Sequence, residues 1–315
     1  MKIIKFDEIL RRFERVFAFD NDIKWGSVFV IFGYHALAVY WCYNYSLPVK
    51  WQTVIFAYCT YVLSGMGITL GVHRYWSHRC FKATKPLQII LFLMFALTGQ
   101  TSIRIWVRNH RLHHKASDTP GDPHNATRGL FYSHIGWLMM KKTDQLIEQG
   151  KKIDMRDIDS DPLLRWYDRN VFMVNLMAAF VLPTMVNIWC LGESWRCAVA
   201  WQCFVRYLGV LHAQMTINSL AHKFGNRPFN SRIKPAENMF VSYITFGEGF
   251  HNYHHVFPYD YRTTGDYFIL DYGKILLKFF EKIGWAYNLR KASPETIASA
   301  VGRLNCAESD DLLKS

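Results

Sequence analysis

Long apolar runs constrain this chain more than any other feature of its sequence. Four of them cover about 27–47, 51–72, 171–191 and 196–217. As helices rising about 1.5 Å per residue, all four are long enough to cross about 30 Å of hydrocarbon. A fifth run, 87–97, is only about half as long, a length typical of an interfacial or buried helix. We therefore predict an all-α, polytopic membrane protein with four transmembrane helices.

Basic residues assign the segments between these runs to the two sides of a membrane. The turns within the two helical hairpins carry only Lys50 and Arg196, whereas the rest of the chain is rich in lysine and arginine. Because basic residues are enriched in cytosolic loops, we expect the hairpins to turn in the lumen and a helical cap to face the cytosol. The predicted parts are a cytosolic segment 1–26, a transmembrane hairpin 27–72, a cytosolic part 73–170, a second hairpin 171–217 and a second cytosolic part 218–315.

The charge and cysteine content exclude other classes of protein. A net charge of +12 is compatible with binding to nucleic acid, anionic lipid or an anionic ligand. Because the sequence contains no soluble basic module, we exclude nucleic acid and attribute the excess to membrane orientation. The seven cysteines include no CxxC pair and fall mostly in apolar runs, which is typical of buried thiols. The charged first 26 residues do not resemble a cleavable signal peptide, so we expect the first run to remain as an anchor.

Histidine clusters predict a metal site. Two HxxHH motifs occupy 110–114 and 251–255, an HxxxxH motif occupies 73–78, and His222 follows the last apolar run. Residues i, i+3 and i+4 share one face of a helix, so we expect each HxxHH motif to direct its imidazoles to one point. The two histidines of the HxxxxH motif would lie about 140° apart on a regular α-helix. They could share a site only if the chain bends between them, as we expect where it leaves the bilayer.

These nine histidines are expected to face one compartment and to bind two metal ions. An even number of predicted crossings separates the first two clusters from the others, provided that 87–97 does not cross. Nine imidazoles exceed the four to six ligands of one ion. Imidazole binds iron, zinc, copper or nickel. Zinc has no redox chemistry and would explain only hydrolysis or a structural role. A reaction of activated oxygen with a lipid chain needs iron or copper, and the nitrogen-rich, open-sided coordination expected here favours iron. Asp118, Asp122 and Glu248 could orient imidazoles or act as turn or cap residues.

Several segments together resemble a known family. The histidine motifs occur with DPHNATRG (122–129), SHIGW (133–137), NSLAHKFG (218–225) and HNYHHVFPYDYR (251–262). In this combination the chain resembles the acyl-CoA desaturases of animals over about residues 25–290. The last segment is especially similar to the Δ9 branch of insects and vertebrates.

The resemblance implies an endoplasmic-reticulum enzyme that inserts one cis double bond, at Δ9, into a fatty acyl-CoA. It implies two iron ions, O2 as co-substrate, and electrons from cytochrome b5 and its reductase. The HPGG haem signature is absent from the chain, so we expect a separate electron donor. The implied catalytic metal ligands are His73, His78, His110, His113, His114, His222, His251, His254 and His255, with Asn218 reaching one metal through a water.

The resemblance also implies residues that bind the substrate. Arg108 and the pair Lys141–Lys142 match positions that meet coenzyme A phosphates. The chain departs from the family pattern near the headgroup, with Asn109 where aspartate is common and Gln100–Thr101 where Gln-Asn is common. Tyr61 and Gly65, four apart on one helical face that leads to His73, are expected to line the far end of an acyl tunnel, where a small residue at position 65 leaves room; helix packing is the alternative role for Gly65. Four other histidines are expected to be structural, core or substrate-lining residues: His35, His124, His134 and His212.

Two alternatives remain open from the sequence. The same ligands could serve a desaturase of other regiochemistry or a di-iron fatty acyl hydroxylase. A non-catalytic membrane protein that binds metal or lipid is a different class, which the loss of a ligand would favour, and no motif histidine is missing.

Overall fold

A computed structural model describes residues 21–264 and 271–302. The predictions for residues 1–20 and 303–315 lie outside the described residues. The helices are α1 (Trp25–Tyr45), α2 (Trp51–Ser77), α3 (Lys85–Ala96), α4 (Ile103–Ala116), α5 (Leu130–His134), α6 (Asp144–Lys151), α7 (Arg156–Asp159), α8 (Pro162–Trp189), α9 (195–223), α10 (Met239–Ile244), α11 (His251–Val256) and α12 (Tyr272–Lys282). An antiparallel pair, β1 (Lys82–Ala83) with β2 (Ala286–Tyr287), is a small exception to the predicted all-α fold.

Long apolar helices dominate the described part of the chain. Within residues 21–264 and 271–302, three helices are long and apolar enough to cross a membrane: α1, α2 and α8. Their exposed surface is largely aromatic and aliphatic, as at Phe29, Val39 and Phe172, each more than 70% exposed. Such a surface is stable in lipid rather than in water. These helices indicate a membrane protein.

Helix α9 matches the fourth predicted run but carries more polar residues than the other three. Its polar groups turn inward: Gln202 accepts a hydrogen bond from Thr60, and the guanidinium of Arg206 donates to the backbone oxygens of Leu97 and Ala179. These contacts satisfy part of the polar groups of α9 from within the protein, while Nε2 of Gln202 and Nε of Arg206 are buried without a hydrogen-bond partner among the described residues.

Helix α3 has 12 residues, too few to span a bilayer, as predicted for the fifth run. One face carries Leu87, Leu91 and Phe95, which are fully buried in the main core. The opposite face exposes Ile89 and Leu93. The helix therefore packs against the protein on one side while presenting an apolar surface on the other.

The end of α2 has a π-helical conformation from Gly67 to Ser77. Within it, the backbone N–H of His78 donates to the carbonyl of His73, five residues earlier, at 3.1 Å. One turn of π-helix thus brings both members of the HxxxxH motif to the same side. A widened helix, rather than the expected bend, therefore brings the two histidines together.

The metal-binding side of the molecule is held by a buried ion-pair network. Arg74, 1% exposed, lies 3.1 Å from carboxylate oxygens of both Glu248 and Asp271. Its guanidinium also donates to the backbone oxygen of Tyr261 at 2.7 Å. These contacts fix the end of α2 against the segment that precedes α11 and the start of α12.

Candidate metal centre and acyl cavity

The nine motif histidines form two groups. The first contains His73, His78, His110, His114 and His254, and the second contains His113, His222, His251 and His255. Within each group the ligand atoms lie within 4.8 Å of one another. The structure therefore brings together all nine histidines singled out from the sequence, as a five-histidine group and a four-histidine group.

Each HxxHH motif contributes to both groups, so the expectation that each would serve one point is wrong. On α4, His110 and His114 join the five-histidine group while His113 joins the other. On α11, His251 and His255 join the four-histidine group while His254 crosses to the first. Residues i and i+4 are about 40° apart around a helix, whereas i+3 and i+4 are about 100° apart. That difference points the i+3 imidazole at the neighbouring group.

Three carboxylates fix the orientation of ligand histidines. Nδ1 of His73 lies 2.9 Å from Glu248, Nδ1 of His113 lies 2.9 Å from Asp122, and Nδ1 of His222 lies 2.9 Å from Asp118. Since an ionised carboxylate only accepts hydrogen bonds, the hydrogen is on Nδ1 and Nε2 carries a lone pair. Of the two roles left open for these acids, the structure shows contact with imidazole.

The donor atoms fit bound cations. Nε2 of His254 lies 2.9 Å from Nε2 of both His73 and His114. In the other group, Nε2 of His251 lies 3.0 Å from Nε2 of His222 and 3.1 Å from that of His255. Nitrogens bound to one ion at about 2.0–2.1 Å have neighbours at such distances. Converging lone pairs would otherwise repel, so both groups are suited to hold a metal ion.

Burial favours the neutral form of seven of these imidazoles, the form that metal ligation requires. Burial and then the neighbouring His114 lower the pKa of His110 far below its usual value. Burial and then His73 do the same to the pKa of His254. The carboxylates stay ionised: burial opposes charge on Glu248, but His73 and Arg74 keep its pKa below the ordinary value.

Three cavities that share lining residues extend one after another past the histidine groups. A wide cavity of about 270 Å³ reaches from Gln100, Thr101 and Asn109 to His110 and Asn218. A central cavity of about 30 Å³ shares His110, Asn218 and Gln214 with it. An end cavity of about 20 Å³ shares Gln214, Ile68, Ile217 and Glu248 with the central one. The central cavity is lined by histidines of both groups, so a chain threaded through the three cavities would pass alongside both groups.

Asn218 lines both the wide and the central cavity, beside His113 and His251 of the four-histidine group. Its side-chain amide points to the sulfur of Met215 at 3.9 Å. The residue is therefore next to the second group without being part of it. Tyr61 and Gly65 line the end cavity, at the far side from Asn109.

The basic residues expected at the headgroup separate into two environments. Lys142 donates a hydrogen bond to Oδ1 of Asn109 at 3.2 Å. Burial, then the charges of Arg108 and Lys24, lower the pKa of Lys142 to about 8. Lys141 instead forms an exposed ion pair with Asp22 at 2.9 Å. Only Lys142 of the pair thus lies with Arg108 near the wide cavity.

The remaining histidines lie outside the two groups. His124 is buried, with Nδ1 3.6 Å from Asp122, and lines the wide cavity. His35, His212 and His134 form a hydrogen-bonded row, with 3.0 Å between successive ring nitrogens, that ends on Ser219. Sequence reasoning missed Gln214 and Phe246, which line the cavities; neither lies in a recognisable motif.

The fold and the paired histidine groups define a helical membrane protein with two groups of histidines that could each hold a metal ion. The family model described as fatty acid desaturase matches residues 46–290. The chain is 43% identical to an acyl-CoA Delta(11) desaturase of Trichoplusia ni, over 87% of this chain and 79% of that protein. It is 40% identical to the Delta(9)-fatty-acid desaturase fat-6 of Caenorhabditis elegans, over 90% and 84%, and to stearoyl-CoA desaturase 2 of Mus musculus, over 81% and 71%. The chain belongs to the fatty acid desaturase family. The family recognised from the motifs is confirmed, and the chain is an oxidoreductase of lipid metabolism.

Proposed function

We propose that this protein is an acyl-CoA desaturase that inserts one cis double bond at Δ9 of a saturated fatty acyl-CoA. The observation that carries the proposal is the central cavity, which is lined by histidines of both groups and shares lining residues with the wide and end cavities. The names of the similar proteins, acyl-CoA and stearoyl-CoA desaturases, support the same reaction.

Iron is the metal that fits the donor set. The groups offer nitrogen donors, which suit a redox-active metal better than calcium or magnesium. Iron bound by these histidines would activate O2 for the removal of two hydrogen atoms from neighbouring carbons. Balancing reduction of O2 to two waters needs two further electrons and two protons. We therefore include a separate electron donor, cytochrome b5 with its reductase, as a partner.

The protein's own residues hold the reacting chain and the ligands. Glu248, Asp118 and Asp122 keep three imidazoles in one tautomer and orientation. Gln100 lines the wide cavity, and its buried Nε2 has no hydrogen-bond partner among the described residues. This amide is free to donate to the thioester carbonyl of a bound acyl-CoA, because a buried donor gains most from a partner supplied by the ligand.

The coenzyme A phosphates would bind where positive charge accumulates beside the wide cavity. Lys24 and Arg108 lie close enough to Lys142 to lower its pKa. Three crowded cations repel one another, and a polyphosphate would relieve that repulsion. Asn109 connects this cluster to the cavity through its bond with Lys142. The acyl chain would thus have its thioester near Asn109 and its methyl end near Gly65.

We further propose four transmembrane helices, with α9 as the fourth, in the endoplasmic-reticulum membrane. The inward-facing polar groups of α9 support this assignment, because their hydrogen bonds to the protein replace part of the water that is lacking within a bilayer. The histidine groups would then face the cytosol together with the parts 73–170 and 218–315. The excess of basic residues there, within a net charge of +12, suits an acidic redox partner.

The proposal is tested by expressing the chain in a desaturase-deficient yeast and analysing its fatty acids by mass spectrometry. Monounsaturated products with a cis Δ9 bond are expected, and His114→Ala serves as the control without product. A Δ11 bond would change the assigned position, and a hydroxylated chain would assign the reaction to the hydroxylase alternative. Absence of any new product from a stably expressed chain would contradict catalysis.

A further inference from the structure

The end cavity is closed by an aromatic ring that comes from outside the apolar helices. Phe246 follows α10, is 5% exposed, and lines the end cavity with Tyr61 and Gly65. Its ring makes edge contacts with Tyr61, at 5.6 Å between centroids, and with Tyr272, at 5.8 Å. The ring is thus held on two sides and has little freedom to swing away.

Gly65 and Phe246 share one space. A Cβ added to Gly65 would lie 2.4 Å from Cε2 and 2.8 Å from Cδ2 of the Phe246 ring. No real Cβ approaches another atom so closely, so any side chain at position 65 must displace the ring. The Phe246 ring therefore packs directly on Gly65 and fills the space that a side chain at position 65 would occupy.

The backbone of Phe246 is in the left-handed region, with φ of 62°. Bulky residues rarely adopt this conformation, and it persists only where the surroundings enforce it. Two residues later, Glu248 holds His73 and Arg74. The segment that places the ring at the end cavity therefore also orients a ligand histidine.

We propose that Phe246, seated on Gly65, is the end wall of the acyl cavity and sets the length of chain accepted beyond the metal-binding groups. This inference rests on the proposed function, because it needs the methyl end of an acyl-CoA to enter the end cavity. That cavity has about 20 Å³ of free space, about enough for one water-sized group. The protein should therefore favour shorter acyl chains, and removing the ring should admit longer ones.

The test compares Phe246→Ala with the unaltered protein in the same yeast, by the ratio of 18-carbon to 14-carbon unsaturated products. The expected ratio rises by about fourfold for each further methylene that the opened cavity buries. Gly65→Ala should lower the ratio, because the displaced ring moves into the cavity. Adding Gly65→Ala to Phe246→Ala should have little further effect, since their shared contact is gone. Phe240→Ala, at a 62% exposed phenylalanine of α10 outside the cavity, is the matched control.

Binding separates this inference from the proposed reaction. The affinities of the purified variants for myristoyl-, palmitoyl- and stearoyl-CoA should show the same shift in chain length without turnover. If Phe246→Ala does not fold, Phe246→Leu replaces it in both measurements. An unchanged product ratio and an unchanged order of affinities would overturn the role of Phe246. If Phe246→Ala shifts the order of affinities for the three acyl-CoAs but the unaltered protein forms no unsaturated product, the role of Phe246 as end wall is supported and the proposed reaction is contradicted.

Discussion

Replacing Asp122 with asparagine tests how the carboxylates support the metal centre. Oδ2 of Asp122 accepts from Nδ1 of His113 at 2.9 Å and from the backbone N–H of Asp118 at 2.8 Å. Oδ1 accepts from the backbone N–H of His124 at 3.1 Å. Asparagine has nearly the same size but offers one oxygen, and its amide group would face an N–H donor. The variant must therefore leave His113 or the surrounding loop without its acceptor.

The expected cost falls on one metal-binding group. Loss of such a supporting contact lowers metal affinity or activity by about 10- to 100-fold, which corresponds to about 1.4–2.7 kcal/mol. His113 belongs to the four-histidine group, whereas none of the five other ligands contacts Asp122. Iron content after dialysis against a chelator should fall from about two ions per chain towards about one, with a matching fall in rate.

The control is Asp154→Asn, because the exposed carboxylate of Asp154 pairs with Arg156 and makes no hydrogen bond to a histidine of either group. It should retain both iron ions and the full rate. Elution as a single species on size exclusion checks that Asp122→Asn is folded. Two firmly held irons and an undiminished rate in that folded variant would refute the role given to Asp122. Equal loss of both irons would show that the two groups do not bind independently.

Three further predictions follow from the same geometry. His114→Ala and His254→Ala should each abolish turnover, measured with purified enzyme, because no neighbouring side chain can replace the lost nitrogen; full turnover of both would contradict the ligand assignment. The KM for acyl-CoA should rise as pH increases through about 8, where Lys142 loses its proton; Lys142→Arg should remove that rise, and Lys141→Arg, at the exposed pair, should leave it unchanged. Asn125, within a glycosylation sequon, should carry no glycan by mass spectrometry, because it is 4% exposed and its segment is proposed to face the cytosol; a glycan there would contradict the proposed topology.

Local patterns in the sequence predicted the apolar helices α1, α2 and α8 and singled out the nine histidines that the structure gathers into two groups. Apolar runs are local in the chain, and a motif spacing reports the face of a helix. The division of the histidines into groups of five and four is not local. It arises because α4 and α11 each lie between both groups, so that His113 and His254 point across.

Contacts between distant segments were beyond sequence reasoning. Lys141 and Lys142 are adjacent, yet the pairing of residues 22–24 with residues 139–141 leaves them in different environments.

Gly65 was predicted to leave room in a tunnel. The structure shows that Phe246, 181 positions later in the chain, occupies that room. A long-range contact of this kind has no signature in either local sequence.

Desaturation by the purified protein is the most direct test of the proposed function. The iron-loaded protein would be supplied with palmitoyl-CoA, O2 and reduced cytochrome b5, and the acyl product analysed for the presence and position of a double bond. We predict a cis Δ9 monounsaturated acyl-CoA that requires both O2 and the reduced donor, and no product from His254→Ala. Unchanged palmitoyl-CoA from a folded, two-iron protein would contradict the assignment of this chain as an acyl-CoA desaturase.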